Sequence, residues 1–251
     1  MFTASWAAAL AISASAAVAP LQPAPQAPQA PQSPPPDRPI TRIFQNLGED
    51  LKRFPAMDTL VILGAGGAAS AVASGSDHRV DRWTLDHPAG SWTTIGRVGG
   101  DGWVMGGTAL GTWIVGEVTN RRLVAHAGSD LIRAQVLNGL VTRVVKIAVD
   151  RTRPSGGRYA FPSGHASAAF TSAGVLQQHF GWKGAVPGYA AASFIALTRV
   201  RDRAHWVSDV VFGAAVGLAS ARAVTRGHQS KTWTIMPAAV PGGAGIIVMR
   251  R

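Results

Sequence analysis

Apolar segments rich in alanine, glycine and valine recur along this chain, and loops rich in Gly, Pro, Asp and Trp separate several of them. Each segment is long enough for a helix, and helices of this kind bury their apolar faces against one another. The sequence therefore predicts a mainly α-helical protein built as a bundle of about six core helices. The predicted helices are Ile40–Arg53, Thr59–Ala73, Trp103–Thr119, Ser129–Val149, Ser163–His179, Gly184–Thr198 and His205–Ala223.

The two ends of the chain depart from this helical pattern. Residues 1–19 are apolar and contain Ala-x-Ala cleavage patterns, which predict a signal peptide or, alternatively, an uncleaved N-terminal anchor. Residues 20–39 repeat Pro, Ala and Gln and predict an extended linker. Residues 40–230 form the predicted helical domain, and residues 231–251 form a β-rich tail. Two β-rich runs around Pro241-Gly242-Gly243 predict a short hairpin in that tail.

The chain is strongly basic, with 24 Lys and Arg residues against 13 Asp and Glu and a formal net charge of +11. This charge favours a phosphorylated small molecule or a lipid head group as partner, although a compositional bias toward Ala, Gly and Arg explains it equally well. The sequence has neither a basic run with interleaved aromatic residues nor a recognisable binding module, so we expect no nucleic-acid partner.

Lys146 and Arg153 lie in the first of three polar blocks that the second half of the chain contains. On a helix, a spacing of seven residues brings two side chains to within about 20° of one direction, so both cations would reach one anion. An Arg fork and a Lys point charge together suit several phosphate oxygens. Pro154 would then end the helix. A solvated basic helix face is the alternative.

The second block is Phe161-Pro162-Ser163-Gly164-His165. A serine in a capping position, followed by small residues, predicts that a helix begins here. Unpaired N–H groups at a helix start bind anions, and Gly164 lets the backbone come close to one. His165 in the first turn would point into the same site and, when protonated, could donate to a leaving oxygen. An ordinary capped helix with a satisfied histidine is the alternative.

The third block is Thr198-Arg199 followed by His205 and Asp209. The last two residues are four apart and would be neighbours on one helical face. A carboxylate beside an imidazole fixes the tautomer and leaves the other ring nitrogen free as a nucleophile. Arg199 adds a third cation. Taken alone, the pair could be an ordinary surface His–Asp contact.

In this order, the three blocks resemble the three-part signature of the type 2 phosphatidic acid phosphatase superfamily, which also contains bacterial acid phosphatases and vanadium haloperoxidases. The resemblance extends over residues 100–222, with the motifs confined to 146–209. This chain has Thr198-Arg199 where the family usually has Ser-Arg, which keeps the hydroxyl.

The resemblance implies a phosphatase that hydrolyses a phosphomonoester, or a lipid or isoprenoid (pyro)phosphate, through a phosphohistidine. It implies that His205 is the nucleophile, that Asp209 orients it, and that His165 protonates the leaving alcohol. It also implies hydrolysis without a metal or another cofactor. The phosphate-binding residues that it implies are Lys146, Arg153, Ser163, Gly164 and Arg199.

Two other functions fit the same residues. In a vanadium-dependent haloperoxidase, the cations would hold vanadate and His205 would ligate it. In a non-catalytic, membrane-tethered module, the same cations would bind an anion without turnover.

The apolar runs bear on localisation. Several are nearer 15 residues than the about 20 that a spanning helix needs. We therefore expect an exported, periplasmic or membrane-associated protein, and we favour a domain at the membrane surface over an integral one. The substrate depends on walls built before residue 146, where Trp83, Trp92 and Trp103 are candidates to line an entrance.

Overall fold

The computed structural model describes residues 40–226, 233–240 and 243–250. Helices dominate this part of the chain, which confirms the predicted fold class. The predicted signal peptide or anchor (1–19) and the predicted linker (20–39) lie outside the described residues. The helices are α1 Ile40–Arg53, α2 Met57–Ser74, α3 Asp77–Asp86, α4 Thr93–Gly99, α5 Gly102–Val118, α6 Arg122–Val149, α7 Gly164–Phe180, α8 Trp182–Arg201 and α9 Val207–Val224, and the strands are β1 Trp233–Val240 and β2 Gly243–Arg250.

Helices α3 and α4 lie in a stretch where the sequence pattern predicts no helix. Distant contacts stabilise α3: Asp77 accepts hydrogen bonds from the backbone N–H and the hydroxyl of Ser208, at 3.0 and 2.6 Å, and Asp81 pairs with Arg203 at 2.7 Å. Such contacts between residues more than 100 positions apart leave no mark on local periodicity, and tertiary packing then decides the conformation.

Helices α7 and α9 pack at backbone distance because glycines of α9 face serines at the start of α7. A Cβ atom at Gly217 would lie 2.2 Å from the carbonyl O of Ser167, and one at Gly213 would lie 2.6 Å from that of Ser163. No side chain fits at such distances, so only glycine permits this approach. The contact fixes the second polar block against the helix that contains Asp209 of the third block.

Helix α2 packs one side against α9 and exposes the other. A Cβ at Gly66 would lie 2.1 Å from the Cβ of Ala215, whereas Val61 and Val72 are 60% and 83% exposed. Among the described residues, α2 and α9 are long and apolar enough to cross a membrane, with 11% and 61% of their residues buried. Helix α9 is therefore a core helix, while α2 leaves a large apolar surface uncovered.

A buried ionic cluster connects α1, α6 and α7. Arg133 donates hydrogen bonds to the carboxylates of both Asp50 and Asp130, and Nε2 of His179 lies 2.9 Å from Oδ2 of Asp130. All four side chains are almost fully buried. Buried charges require partners, and here each Asp has Arg133. The apolar residues packed in the same region include Leu131, Leu137, Val175 and Val224.

Strands β1 and β2 pair antiparallel, with Trp233 opposite Arg250 and Val240 opposite Gly243. They coincide with the hairpin that the sequence predicts on either side of Pro241-Gly242-Gly243.

Candidate active site

Lys146 lies in the last turn of α6 and braces the loop that follows. Its Nζ donates hydrogen bonds to the carbonyl oxygens of Tyr159 and Pro162, both at 2.7 Å. An ammonium group has three donors, so one remains for a ligand. Burial, and next the positive charge of Arg153, lower the pKa of Lys146 to about 8.

Lys146 and Arg153 do not share a helical face, and that prediction is wrong. Helix α6 ends at Val149, because Asp150 adopts the left-handed conformation (φ 44°, ψ 42°). Four residues therefore separate the end of α6 from Pro154, which plays no part in ending the helix. Arg153 instead belongs to the loop of residues 150–162.

This loop is ordered by polar contacts of its own. Asp150 pairs with Arg158, Nε of Arg153 donates to the carbonyl of Arg158 at 3.1 Å, and the Arg153 backbone N–H donates to the carbonyl of Gly157 at 2.7 Å. Within the part of the chain that the structure describes, Arg153 forms no ion pair. Its Nη groups are consequently left for an anion.

Ser163 caps α7, as the sequence predicts. Its Oγ accepts a hydrogen bond from the N–H of Ala166 at 3.4 Å, and its own N–H donates to the carbonyl of Asp209 at 2.9 Å. The side chain of Ser163 is fully buried. Its hydroxyl therefore serves the helix start, and the cap ties the second block directly to the third.

His165 occupies the first turn of α7, as predicted. Its Nε2 lies 3.0 Å from the carbonyl O of Arg97 in α4. Burial, and next the positive charge of Arg199, lower the pKa of His165 to about 4. The imidazole is thus neutral near pH 7, and Nε2 donates to the Arg97 carbonyl.

His205 and Asp209 are close together, but not on one face of a helix. Helix α9 begins at Val207, so His205 precedes it, and the predicted i, i+4 helical geometry is wrong. Nδ1 of His205 lies 3.6 Å from Oδ2 of Asp209, longer than a hydrogen bond. The same oxygen accepts from the N–H of Trp206 at 2.9 Å, so Asp209 also caps α9.

Arg199 lies in the last turn of α8, whereas His205 lies in the turn between α8 and α9. The side chain of Arg199 is buried and paired with Asp202 at 2.6 Å. The carbonyl of Arg199 accepts the N–H of His205 at 3.2 Å. The turn from α8 to α9 therefore fixes the two residues relative to each other.

Arg151 is a site residue that sequence reasoning missed. Its Nη1 donates to Oδ1 of Asp209 and to the hydroxyl of Ser208, both at 2.7 Å, and its Nη2 donates to Asp77 at 2.9 Å. The first block contains Arg151 beside Arg153, and nothing in the sequence distinguishes the arginine that faces the carboxylates from the one that faces open space.

A cavity of about 680 Å³, which we call the cation cavity, joins residues from several elements. Three predicted site residues line it, namely Arg153, His165 and Arg199. Arg97 of α4 adds a further cation that sequence reasoning missed because α4 itself was not predicted. Asp101 and Asp202 line the cavity as well, and Asp202 is paired with Arg199. The three arginines outnumber these two carboxylates, so the cavity suits an oxyanion.

The other predicted residues lie around the cation cavity without lining it. Lys146 and Gly164 border a neighbouring groove of about 530 Å³ between α5, α6 and α7. His205 is almost fully buried, and its chain neighbour Ala204 forms part of the cavity wall.

The imidazole of His205 is held in its neutral form. Burial lowers its pKa most, the carboxylate of Asp209 opposes this, and the positive charges of Lys146 and Arg153 lower the pKa further. A neutral imidazole beside clustered cations is the form that can attack an electrophilic phosphorus.

The family model described as the PAP2 superfamily matches residues 155–233 of this chain. Lipid A 1-phosphatase of Porphyromonas gingivalis is 36% identical over 94 residues, which is 36% of this chain and 21% of that protein. Lipid A 4'-phosphatase of Helicobacter pylori is 34% identical over 76 residues, 30% of this chain and 38% of that protein. The alignments thus span well under half of either relative.

One solved structure is also similar to this chain. It is the crystal structure of a protein described as the first transmembrane PAP2-type phosphatidylglycerolphosphate phosphatase from Bacillus subtilis. The comparison covers 73% of this chain and 92% of that one, at 18% sequence identity and a TM-score of 0.35. At that score the likeness does not establish a shared fold.

Proposed function

We propose that this chain, whose residues 155–233 match the PAP2 superfamily model, is a phosphatase that hydrolyses a phosphorylated lipid or a related phosphomonoester through a phosphohistidine. The observation that carries this proposal is the cation cavity itself. Arg153, Arg199 and His165 line it, and His205, which is adjacent in the chain to one of its wall residues, is buried and neutral.

The reaction proceeds in two displacements at phosphorus. In the first, Nε2 of His205 forms a bond to phosphorus while the bond to the leaving oxygen breaks, and His165 gives that oxygen a proton. In the second, His165 takes a proton from water, the water oxygen bonds to phosphorus, and the P–N bond breaks to release phosphate. Arg153 and Arg199 stabilise the charge on the phosphoryl oxygens, and Asp209 stabilises the positive charge on His205. Neither step uses a metal or another cofactor.

The low pKa of His165 gives this scheme a specific requirement. A pKa of about 4 means that the free enzyme holds His165 neutral at pH 7. A bound phosphate dianion favours the protonated imidazole, so substrate binding itself charges the acid. His165 therefore takes up one proton from the surrounding water as the dianion binds.

We predict that His165→Ala lowers turnover according to the leaving group. The quantity compared is kcat/KM, which reports the first displacement and not the hydrolysis of the phosphohistidine that both substrates share. For an alkyl phosphate, whose alkoxide needs a proton to depart, we expect a loss in kcat/KM of about 10³-fold. For p-nitrophenyl phosphate, whose phenolate departs without one, we expect a loss in kcat/KM below about tenfold. The ratio of the two losses is measured on one protein sample, so partial unfolding cancels. Equal losses on both substrates would contradict the role of His165 as the acid.

We predict that Asp209→Asn shifts the acid limb of the pH profile for kcat/KM to lower pH. Asp209 raises the pKa of His205 against the larger effect of burial, so its removal lowers that pKa further and the imidazole stays neutral in more acid solution. In the pH-independent region of the profile, kcat/KM of the variant is about 10²-fold below that of the wild type. The reason is that the positive charge on phosphorylated His205 is no longer stabilised by the carboxylate of Asp209. A limb that moves to higher pH would contradict this electrostatic role.

The substrate class follows from the relatives and from the surface. Both relatives are phosphatases of lipid A, and we propose that this chain likewise acts on an amphiphile with a phosphorylated head group. The exposed apolar face of α2 supports association with a membrane, where such substrates lie. We propose that the protein is exported and acts at that surface, which agrees with the leader predicted for residues 1–19.

The test is phosphate release by the full chain in mild detergent. The panel contains p-nitrophenyl phosphate, phosphatidic acid, phosphatidylglycerol phosphate, undecaprenyl pyrophosphate and lipid A. Release from at least one lipid without added metal is the expected result. A folded protein that releases phosphate from none of them would overturn the proposed function.

A further inference from the structure

Two separate spaces meet at His165. The cation cavity lies on one side, and the groove of about 530 Å³ between α5, α6 and α7 lies on the other; His165 and Asp101 line both. Arg97, Arg153 and Arg199 line only the first space, whereas Arg143 and Lys146 line only the second. His165 lies between the two spaces. As an acid, it can reach an oxygen that joins a phosphoryl group in the cation cavity to an organic group in the groove.

The groove is therefore the place for the leaving group, an inference that rests on the proposed function. The leaving oxygen must lie within hydrogen-bond reach of His165. The phosphoryl group attached to this oxygen points toward Arg153 and Arg199. The rest of the substrate must then extend from His165 along the groove, whose walls include Trp103, Gln135, Asn138, Thr142 and Arg143.

The wall that α6 contributes has a polar strip beside an apolar one. At about 100° per residue, the polar groove residues project within one sector of the helix and the exposed apolar residues within the next. The first strip is Gln135, Asn138, Thr142, Arg143 and Lys146, and the second is Val136, Leu140, Val144 and Ile147. This division suits an amphiphile, with its head group on the first strip and its hydrocarbon on the second.

Arg143 lies at the boundary between the two strips. Among the described residues it has no acidic partner within salt-bridge distance, and its side chain is exposed. Its positive charge is one of the causes that lower the pKa of Lys146, which lies one helical turn further along α6. One turn corresponds to a rise of about 5 Å. Arg143, one turn from Lys146, can therefore pair with an anionic group of the substrate that lies a few bonds beyond the leaving oxygen.

We propose that the groove binds the leaving-group part of the substrate and that Arg143 pairs there with a second negative charge on the head group. The preferred substrates are thus amphiphiles with two anionic groups, one that is hydrolysed and one that is retained. A phosphomonoester joined through a short polyol to a phosphodiester has this form. An amphiphile whose single phosphate is directly attached to its apolar part does not.

The test compares three substrates in the full-length wild type and in Arg143→Gln. Phosphatidylglycerol phosphate carries a phosphodiester beyond the reacting phosphate, phosphatidic acid has the same apolar part without it, and p-nitrophenyl phosphate has neither. We expect Arg143→Gln to lower kcat/KM about tenfold for phosphatidylglycerol phosphate and to leave the other two unchanged. Arg143→Lys retains most of the activity. Arg82→Gln is the matched control, because Arg82 is also exposed and borders neither space.

Each outcome decides the matter. A selective loss on the doubly anionic lipid supports the proposal. Equal losses on all three substrates, or no loss on any, would overturn it while leaving the phosphatase intact. If the wild type hydrolyses none of these three but releases phosphate from lipid A or undecaprenyl pyrophosphate, this inference fails while the proposed function stands. If it releases phosphate from none of the five, both fail.

Discussion

Replacing His205 with alanine is expected to lower kcat/KM for phosphate release by about 10⁴-fold or more. Removal of an enzyme nucleophile typically costs this much, because the remaining binding groups cannot supply the covalent step. The arginines of the cation cavity remain in the variant, so substrate should still bind. The measurement is initial-rate phosphate release on the best substrate of the panel, together with rapid-quench detection of an acid-labile phosphoryl adduct in the wild type.

Two controls make this result specific. His87→Ala removes an exposed histidine that stacks on Trp83 and borders no part of the cation cavity, and it should keep full activity. A thermal melt of His205→Ala then separates lost chemistry from lost structure, since the imidazole is buried. If a folded His205→Ala protein keeps turnover within tenfold of wild type, the phosphohistidine mechanism is wrong.

The largest expected effect on stability comes from the buried ionic cluster. Arg133→Met should lower the free energy of unfolding by about 3–5 kcal/mol, because it leaves the carboxylate of Asp50 buried without its cation and takes one partner from Asp130, which keeps His179. Methionine fills much of the volume of arginine, so lost charge pairing dominates over cavity formation. Thermal or denaturant unfolding, monitored through tryptophan fluorescence, measures the loss.

The pH dependence of this loss identifies its cause. Burial raises the pKa of Asp50 above its ordinary 3.8, and Arg133 opposes this, so Arg133→Met raises the pKa further. A carboxyl group with a raised pKa in the folded state destabilises that state as pH rises above the unfolded value. The deficit of the variant should thus be small near pH 4 and grow toward pH 7. Asp50→Asn in the Arg133→Met background should recover part of it, and a deficit independent of pH would point to packing instead.

Much of the site could be predicted because its predicted residues fall in three short sequence blocks. The spacing of His205 and Asp209 predicted their proximity, and a serine before small residues predicted the start of α7. The resemblance to the phosphatase family, which rested on these blocks, is confirmed by the family match. The relation of Lys146 to Arg153 was predicted wrongly, because a left-handed Asp150 ends α6 before Arg153. A single backbone conformation of that kind has no reliable signal in one sequence.

Other parts of the site arise only from long-range contacts. Arg97 reaches the cation cavity from α4, a helix of seven residues, and Asp77 reaches Arg151 from α3. Helix α3 is short and mostly polar and α4 has seven residues, so neither was predicted, and their site residues were missed with them. Trp103 was one of three aromatic candidates for an entrance, and only the packing of α5 shows that it borders the groove.

The residues proposed for chemistry lie between 146 and 209, whereas much of the wall proposed for the leaving group comes from the start of α5 and from residues 135–143 of α6. On this proposal, one segment of the chain carries the reacting residues and another carries the residues that select the substrate. Substitutions at positions such as Gln135 or Arg143 can alter which head group is accepted without touching the residues that break the phosphate ester. Homologues with this arrangement can differ in substrate specificity while they catalyse the same reaction. Exchange of the α5–α6 segment between relatives would serve the same purpose in engineering.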